Sequence, residues 1–180
     1  EDQSQIVVFY GSGTKTHDMD FRVAAPGILA AMQANPRMRL QIVGDLTLPS
    51  EFDALGDRVE RLQGRSYAAY LQLLAQADIA IAPLEPGLFN DAKSNIKYLE
   101  AAVLAVPSVC SPAQAFADVI ETGTNGYLAA SPEDWKTALL ALADNTALRH
   151  DIDEKARADI RARYRPQAVA QQQVLPAFGA

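Results

Sequence analysis

The sequence holds one cysteine, Cys110, so the chain can form no internal disulfide. This excludes the disulfide-rich secreted class, and a lone cysteine in an apolar stretch is expected to be a small buried residue in a reducing, cytoplasmic compartment. Basic residues are outnumbered, because 16 Lys and Arg stand against 22 Asp and Glu for a net charge of −6. Nucleic acid is therefore not an expected partner, since its phosphates require a basic surface. No apolar run is long enough to span a membrane and no signal peptide is evident.

Strand-like and helix-like segments alternate along the 180 residues, of which 49% are hydrophobic. This alternation predicts a Rossmann-like α/β fold, in which helices cover both faces of a parallel sheet. Residues 1–165 would form the domain and 166–180 a C-terminal helix or tail. Because the sequence begins without Met, close to a strand, we expect a domain of a longer polypeptide. The predicted strands are 6–10, 40–43, 59–62, 79–83, 106–110 and a short 127–129.

Two helix starts carry local signals. Asp20 can cap a helix from about 21 to 34, although Pro26 would kink it or delay its start to about Ala25. Ser131, followed by Pro132 and two acidic residues, is typical of an N-cap with proline at the first helical position.

The most informative stretch runs from 80 to 111. A strand leads into the loop Glu85-Pro86-Gly87, and Asn90 or Asp91 then offers an N-cap for a helix.

On that predicted helix, two lysines and a glutamate share one face. Lys93, Ile96, Lys97 and Glu100 stand at i, i+3, i+4 and i+7. A helix N-terminus with two lysines in its first two turns favours a phosphate or diphosphate. Glu100 would lie about 10 Å along the axis, a suitable distance for a carboxylate that accepts bonds from sugar hydroxyls. The alternative is a solvated face with a surface ion pair worth under about 1 kcal/mol.

The first predicted strand is followed by a polar, glycine-rich loop over 11–20. Gly11, Ser12, Gly13 and Thr14 would let backbone N–H groups approach an anion closely. A P-loop is excluded because Thr14 separates Gly13 from Lys15, and a dinucleotide fingerprint is excluded because Thr16 stands where its third glycine is needed. An ordinary surface turn is the alternative.

The residues resemble a known family. Residues 92–111, AKSNIKYLEAAVLAVPSVCS, are similar to the signature of the C-terminal, nucleotide-sugar-binding domain of GT-B glycosyltransferases of group 1 (GT4-like). The pattern Thr16-His17-x-x-Asp20-Phe21 resembles the first loop of a subset of that family, and Thr122–Gly126 resembles its Asn-Gly turn. The resemblance covers about residues 6–165.

The resemblance implies that the domain binds a nucleotide-diphospho-sugar donor. Glu100 would bind the ribose, the first helical amides at Asn95 and Ile96, beside Ser94, would hold the diphosphate, and Lys93 and Lys97 would neutralise it as it departs. The family implies retention at the anomeric carbon, without metal or cofactor, since the nucleotide-sugar is a substrate. Lys93, Lys97 and Glu100 are thus the candidate catalytic residues.

Two departures from the family pattern matter. Ala92 stands in place of the first Glu, so sugar recognition would move to Glu85 or Asp91, or be lost. Ala105 replaces the usual glycine before the next strand.

Three further residues are candidates for ligand contacts. His17 could touch a sugar hydroxyl or a phosphate, or could be a structural partner of the neighbouring aspartates. Arg65 and Tyr67 follow the third strand, where a nucleotide base could stack, although an exposed helix start would look the same.

The expected protein is the donor-binding half of a glycosyltransferase, inactive alone. The N-terminal acceptor domain would lie outside this chain, and any peripheral membrane association would come only through it. The first alternative is a non-catalytic nucleotide-binding or interaction module with a degenerate cleft, which Ala92 favours. A flavodoxin-like receiver is less well supported, because no acidic cluster follows the first strand.

Overall fold

The computed structural model describes residues 5–13 and 18–165. Six parallel strands form one sheet in the order β3-β2-β1-β4-β5-β6, which is the doubly wound, Rossmann-like order. The predicted fold class is confirmed. The strands are β1 (Ile6–Gly13), β2 (Met38–Gly44), β3 (Val59–Leu62), β4 (Ile79–Ala82), β5 (Ser108–Cys110) and β6 (Tyr127–Leu128).

The helices connect consecutive strands and end in a C-terminal pair. A 3₁₀ segment, Ser50–Arg58, precedes β3 and bends at Gly56, whose φ is 57°. The helices are α1 (Asp18–Ala34), α2 (Tyr67–Leu74), α3 (Leu88–Asp91), α4 (Ile96–Val103), α5 (Gln114–Ala117), α6 (Pro132–Asp144) and α7 (Thr146–Arg163). No helix in the described ranges is long and apolar enough to cross a membrane.

Side chains that alternate along β1 divide the core into two faces. Tyr10 packs with Phe21 of α1 and with Trp135 of α6 in the larger cluster. Phe9, its neighbour in sequence, packs on the opposite face in a cluster with Leu74 of α2. Because both faces of β1 are covered, its sequence is a continuous apolar run and not an alternating one.

The helix starts bear out one local prediction and correct another. Ser131 accepts a hydrogen bond from the Asp134 N–H while Asp134 accepts one from the Ser131 N–H, so the predicted cap is confirmed as a full capping box. Helix α1 begins at Asp18, earlier than predicted, and contains Pro26. Asp20 therefore lies in its first turn and does not cap it. The predicted C-terminal helix or tail, 166–180, lies outside the described residues.

The boundary between β1 and β4 in the sheet determines where the site lies. Strand order reverses between β1 and β4, because the chain runs outward to β3 on one side and to β6 on the other. At such a switch point the loops at the carboxyl ends of the two strands separate, which leaves a crevice for ligands.

Candidate functional site

A pocket of about 370 Å³ opens at the carboxyl ends of β1 and β2, against the first turns of α4. Glycines form much of its wall, which leaves backbone rather than side chains facing the space. The polar side chains come from the start of α2 and from α4. Its lining comprises Gly11, Gly13, Val43, Gly44, Gly64, Arg65, Tyr67, Tyr70, Ile96, Lys97 and Glu100.

Glu100 is held by two tyrosines of α2. Its Oε1 accepts a hydrogen bond from the Tyr67 hydroxyl at 2.9 Å, and its Oε2 accepts one from the Tyr70 hydroxyl at 3.2 Å. The two rings stack with their centroids 6.3 Å apart. The carboxylate raises the pKa of the Tyr67 hydroxyl mainly through this hydrogen bond, so both tyrosines remain proton donors at neutral pH.

Helix α4 begins at Ile96, so Glu100 lies one turn inside it, about 6 Å along the axis. The predicted distance of about 10 Å was wrong, because the helix starts later than Asn90 or Asp91.

The Lys97 ammonium is buried beneath the pocket. Its Nζ lies 5.1 Å from the centroid of the Tyr10 ring and has no hydrogen-bond partner among the described residues. The pKa of Lys97 is lowered to about 8, chiefly by burial and in smaller part by the neighbouring Lys93, against the opposing effects of Asp20, Cys110 and Glu100. A buried cation without an acceptor is costly unless an anion can reach it.

Lys93 lies in a different environment. It falls in a turn between α3 and α4 and therefore does not share a helix face with Lys97 and Glu100. The shared face predicted from the spacing was wrong. Its Nζ donates to Oδ2 of Asp20 at 3.1 Å, and that carboxylate is only 4% exposed. The interruption between α3 and α4 arises because Asp20 also accepts hydrogen bonds from the segment before Lys93.

Asp20 organises the connection from β4 to α4. Its Oδ1 accepts the Glu85 backbone N–H at 2.9 Å and the Asn90 side-chain amide at 2.8 Å. The Asn90 amide also donates to the Glu85 carbonyl at 2.7 Å. The Glu85 side chain is exposed and does not line the pocket. Asp91 does not line it either, and accepts the Gln114 backbone N–H at 3.4 Å.

The predicted phosphate loop is in large part a strand. Strand β1 continues through Gly13, where Gly11 pairs with Val43 and Gly13 with Gly44, so 11–13 are not a free loop. Ser12 is buried, and its hydroxyl donates to the Asp45 carbonyl. Thr14 and His17 lie outside the described residues.

Gly13 has a φ of 71°, a conformation that side chains with a Cβ rarely adopt. A valine at position 13 would therefore strain the backbone, at a point where Gly44 also approaches Gly13 closely.

Ser94 and Asn95 line a separate pocket of about 540 Å³ between the start of α4 and the end of α7. The Asn95 side-chain amide donates to the Tyr164 hydroxyl at 2.7 Å. The structure thus brings together Gly11, Gly13, Arg65, Tyr67, Ile96, Lys97 and Glu100, and it leaves Ser94, Asn95, Lys93 and Glu85 outside that pocket.

Sequence reasoning missed Tyr70 and Asp20. Tyr70 lies three residues after Tyr67, and this spacing, which places both on one helical face, is the signal that could have indicated it. Asp20 was taken as a cap. Within 5–13 and 18–165, no group of three His, Cys, Asp or Glu side chains could hold a metal ion.

Comparison with known proteins identifies the family. Residues 4–145 match the family model described as glycosyl transferases group 1. The chain belongs to this glycosyltransferase family. The resemblance stated from the sequence is thereby confirmed at the level of group 1, and the assignment to GT4 stays a prediction. No match was found among curated protein sequences.

Solved structures of group 1 proteins share the fold. HepE from Anabaena, in complex with UDP and glucose, aligns with a TM-score of 0.76 at 18% identity, over 98% of this chain and 49% of HepE. The C-terminal domain of the group 1 protein LpcC from Francisella tularensis aligns with a TM-score of 0.71 at 16% identity, over 91% of this chain and 87% of that domain. TarM from S. aureus aligns with a TM-score of 0.74 at 19% identity, over all of this chain and 37% of TarM. The group 1 chain described here thus spans about half the length of HepE.

Proposed function

We propose that this chain is the donor-binding half of a group 1 glycosyltransferase that holds a nucleotide-diphospho-sugar in the pocket beside α4. The observation that carries the proposal is the convergence of Glu100, Lys97 and Tyr67 on one pocket at the carboxyl end of a doubly wound sheet. Ligands of such sheets bind at this edge. That HepE is a complex with UDP and glucose supports a nucleotide donor.

Each part of the donor has a chemically suited group. Glu100 offers carboxylate oxygens to the ribose hydroxyls, because each oxygen keeps a lone pair after accepting from a tyrosine. Tyr67 is 62% exposed and stacked on Tyr70, so its free face and the Arg65 guanidinium can pack against a base.

The diphosphate is proposed to meet the N-terminus of α4 and the Lys97 ammonium. The first N–H groups of α4 have no partner in the helix, and its dipole favours negative charge there. Lys97 adds a cation that has no hydrogen-bond acceptor within the described ranges. Lys93 would contribute a second positive charge from the Asp20 ion pair. Positive charge at the leaving group can replace a metal, so we propose that transfer is independent of metal and cofactor. Retention at the anomeric carbon and a cytoplasmic location are further parts of the proposal.

A titration of the 180-residue chain with UDP, GDP and ADP tests the proposal. Isothermal calorimetry in the presence of EDTA is expected to show binding of at least one of the three, and the one that binds most tightly is the preferred nucleotide. The bare nucleoside should bind more weakly than its diphosphate. If none of the three binds, the proposed function is wrong.

Substitution of Glu100 sharpens that test. Glu100→Gln should weaken binding of the preferred nucleotide by about 1.5–3 kcal/mol, the range for hydrogen bonds to a charged group. Glu154→Gln, on the exposed face of α7, is the matched control with the same loss of charge. Equal affinities for the two variants would show that Glu100 does not contribute to nucleotide binding.

One observation favours a non-catalytic module as the second candidate. Ala92 stands where the family has its first Glu, and Glu100 is the one carboxylate in the described lining of the pocket. A module of this kind would bind the nucleoside diphosphate and the corresponding nucleotide-sugar equally well, whereas a donor site would bind the nucleotide-sugar more tightly.

A further inference from the structure

Tyr70 connects β1 to the Glu100 carboxylate. Its ring lies edge-on to Phe9, with centroids 5.4 Å apart, and its hydroxyl donates to Glu100 Oε2 at 3.2 Å. Tyr70 is half-buried, whereas Tyr67, the other donor to this carboxylate, is 62% exposed. Tyr70 is therefore the donor that packing holds in place.

Gly11 leaves the room that the Tyr70 ring occupies. A Cβ at Gly11 would lie 2.6 Å from Cε2 and 2.9 Å from the hydroxyl oxygen of Tyr70, closer than atoms in contact can approach. Gly11 pairs with Val43 inside the sheet, so its backbone cannot move aside without breaking the β1–β2 register. Even an alanine at position 11 would displace the ring.

The neighbouring groups keep the Tyr70 hydroxyl a donor. Burial and the Glu100 charge both raise the pKa of Tyr70. The hydroxyl therefore retains its proton and donates to the Glu100 carboxylate, which lines the pocket.

We propose that Tyr70 is a positioning residue that fixes the Glu100 carboxylate for the two hydroxyls of a ribose, and that Gly11 is glycine because it must admit the Tyr70 ring. This inference rests on the proposed function. It assigns Gly11 a role different from phosphate binding, and it makes the preference for ribose over deoxyribose depend on a side chain that need not touch the nucleotide.

The test compares two affinities in each variant. The probes are the preferred nucleotide among UDP, GDP and ADP and its 2′-deoxy counterpart, both measured by calorimetry. Tyr70→Phe keeps the ring and removes the hydroxyl, whereas Tyr67 still holds the other carboxylate oxygen. The ratio of ribo to deoxy affinity is therefore expected to fall by about 2- to 10-fold, the range for one ordinary hydrogen bond. Gly11→Ala should reduce the same ratio by displacing the ring.

Tyr98→Phe is the matched control. Tyr98 also donates one hydroxyl hydrogen bond of 3.2 Å, but its acceptor is the Asn125 carbonyl on the other side of α4. This variant loses a buried hydroxyl contact without changing Glu100, so its affinity ratio should equal that of the wild type. If Tyr70→Phe leaves the ratio unchanged, even while both nucleotides bind more weakly, Tyr70 supports only the fold and the inference is wrong.

A second measurement distinguishes this inference from the proposed function. In the ligand-free chain, the melting temperatures of Tyr70→Phe, Glu100→Ala and the double variant form a cycle. A smaller loss in the double variant than the two single losses combined supports the contact. Additive losses would overturn the inference even if a nucleotide binds, whereas a chain that binds no nucleotide contradicts the proposed function and leaves the cycle to decide the role of Tyr70.

Discussion

Two lysines that the sequence spacing treated as equivalent lie in opposite environments. Lys93 is paired with Asp20, and 28% of its side chain is exposed, whereas the Lys97 ammonium is buried without an acceptor in the described structure. The difference follows from the turn at residues 92–95, which takes Lys93 out of the helix that carries Lys97. It leads to three predictions, which concern stability against pH, nucleotide binding against pH, and stability against substitution.

Stability should rise with pH because of Lys97. The pKa of Lys97 is about 8 in the folded chain and about 10.5 as an ordinary lysine, so the unfolded chain binds more protons between these values. The free energy of unfolding therefore increases across pH 8 to 10.5, by at most about 3 kcal/mol at 1.36 kcal/mol per pH unit. The cost of the buried ammonium is fully present below pH 8. Urea unfolding at pH 7.5 and 9.5, compared with Lys97→Met, measures it, and equal pH slopes for the two chains would contradict the assignment.

Binding of a nucleoside diphosphate should change with pH in the opposite direction. The anion needs the ammonium form of Lys97, so affinity is expected to fall as pH rises through about 8. Asp20 and Glu100 favour the ammonium form of Lys97, and Lys93 disfavours it. All three residues are therefore left unchanged in the chains whose affinities are compared. Calorimetry at pH 7 and 9 provides the measurement, and Lys97→Met should bind weakly at both. A pH-independent affinity in the wild type would place the diphosphate elsewhere.

Asp20 should contribute more stability than its partner Lys93. Asp20→Ala removes the acceptor of the Glu85 N–H, the Asn90 amide and the Lys93 ammonium at once, and is expected to cost about 2–4 kcal/mol. Lys93→Ala leaves the carboxylate bonded to the Glu85 N–H and the Asn90 amide, and should cost about 1–2 kcal/mol because the lysine is partly exposed. Urea denaturation of both variants compares the two. A larger loss for Lys93→Ala would mean that Asp20 is not the centre of this network.

At the scale of elements, the sequence predicted what local chemistry determines. The capping box at Ser131 follows from residues three apart, and the parallel sheet follows from the alternation of segments. The break between α3 and α4 could not be predicted in this way. Residues 88–103 contain no glycine or proline, and the break depends on hydrogen bonds to Asp20, which lies 70 residues from Asn90 in sequence. Tertiary contacts of this kind override helix propensity.

Just after the end of α4 lies Ala105, one of the two departures from the family pattern, and its backbone conformation should lower the stability measurably. Ala105, in place of the family's glycine, has a φ of 61°, and the Val106 N–H donates to the Ala101 carbonyl at 2.9 Å. With the bond from Ala105 N–H to the Ala102 carbonyl at 3.3 Å, this is a Schellman motif that has alanine at its left-handed position.

Ala105→Gly should therefore be neutral to stabilising, by up to about 1 kcal/mol. Relief of the left-handed strain, about 1–2 kcal/mol, exceeds the added entropy of an unfolded glycine, about 0.4–1 kcal/mol. Thermal unfolding gives the difference. Ala117→Gly, near the end of α5, is a control that should destabilise, because that residue is helical. Destabilisation of both by the same amount would mean that Ala105 is not strained.

At the scale of the whole molecule, the chain is close in extent to the C-terminal domain of LpcC. It covers 49% of HepE but 87% of the LpcC C-terminal domain, which exists as a separate crystal structure. Its described strands form one sheet with a core on both faces, so the contacts that stabilise the fold lie within the chain.

The 180-residue chain should therefore unfold in a single cooperative transition and bind the nucleotide donor, yet transfer no sugar. Binding needs the pocket, which this chain forms, whereas transfer also needs an acceptor site, which we assign to the other half of the enzyme.

A ligand present at 100 times its dissociation constant should raise the free energy of unfolding by about 2.7 kcal/mol. Thermal unfolding with and without nucleotide measures this increase, and NMR of the nucleotide-sugar detects any turnover. Glu100→Gln should show a smaller increase at the same ligand concentration. Transfer by the isolated chain would contradict the assignment of the acceptor site, and two separate unfolding transitions would contradict the single domain.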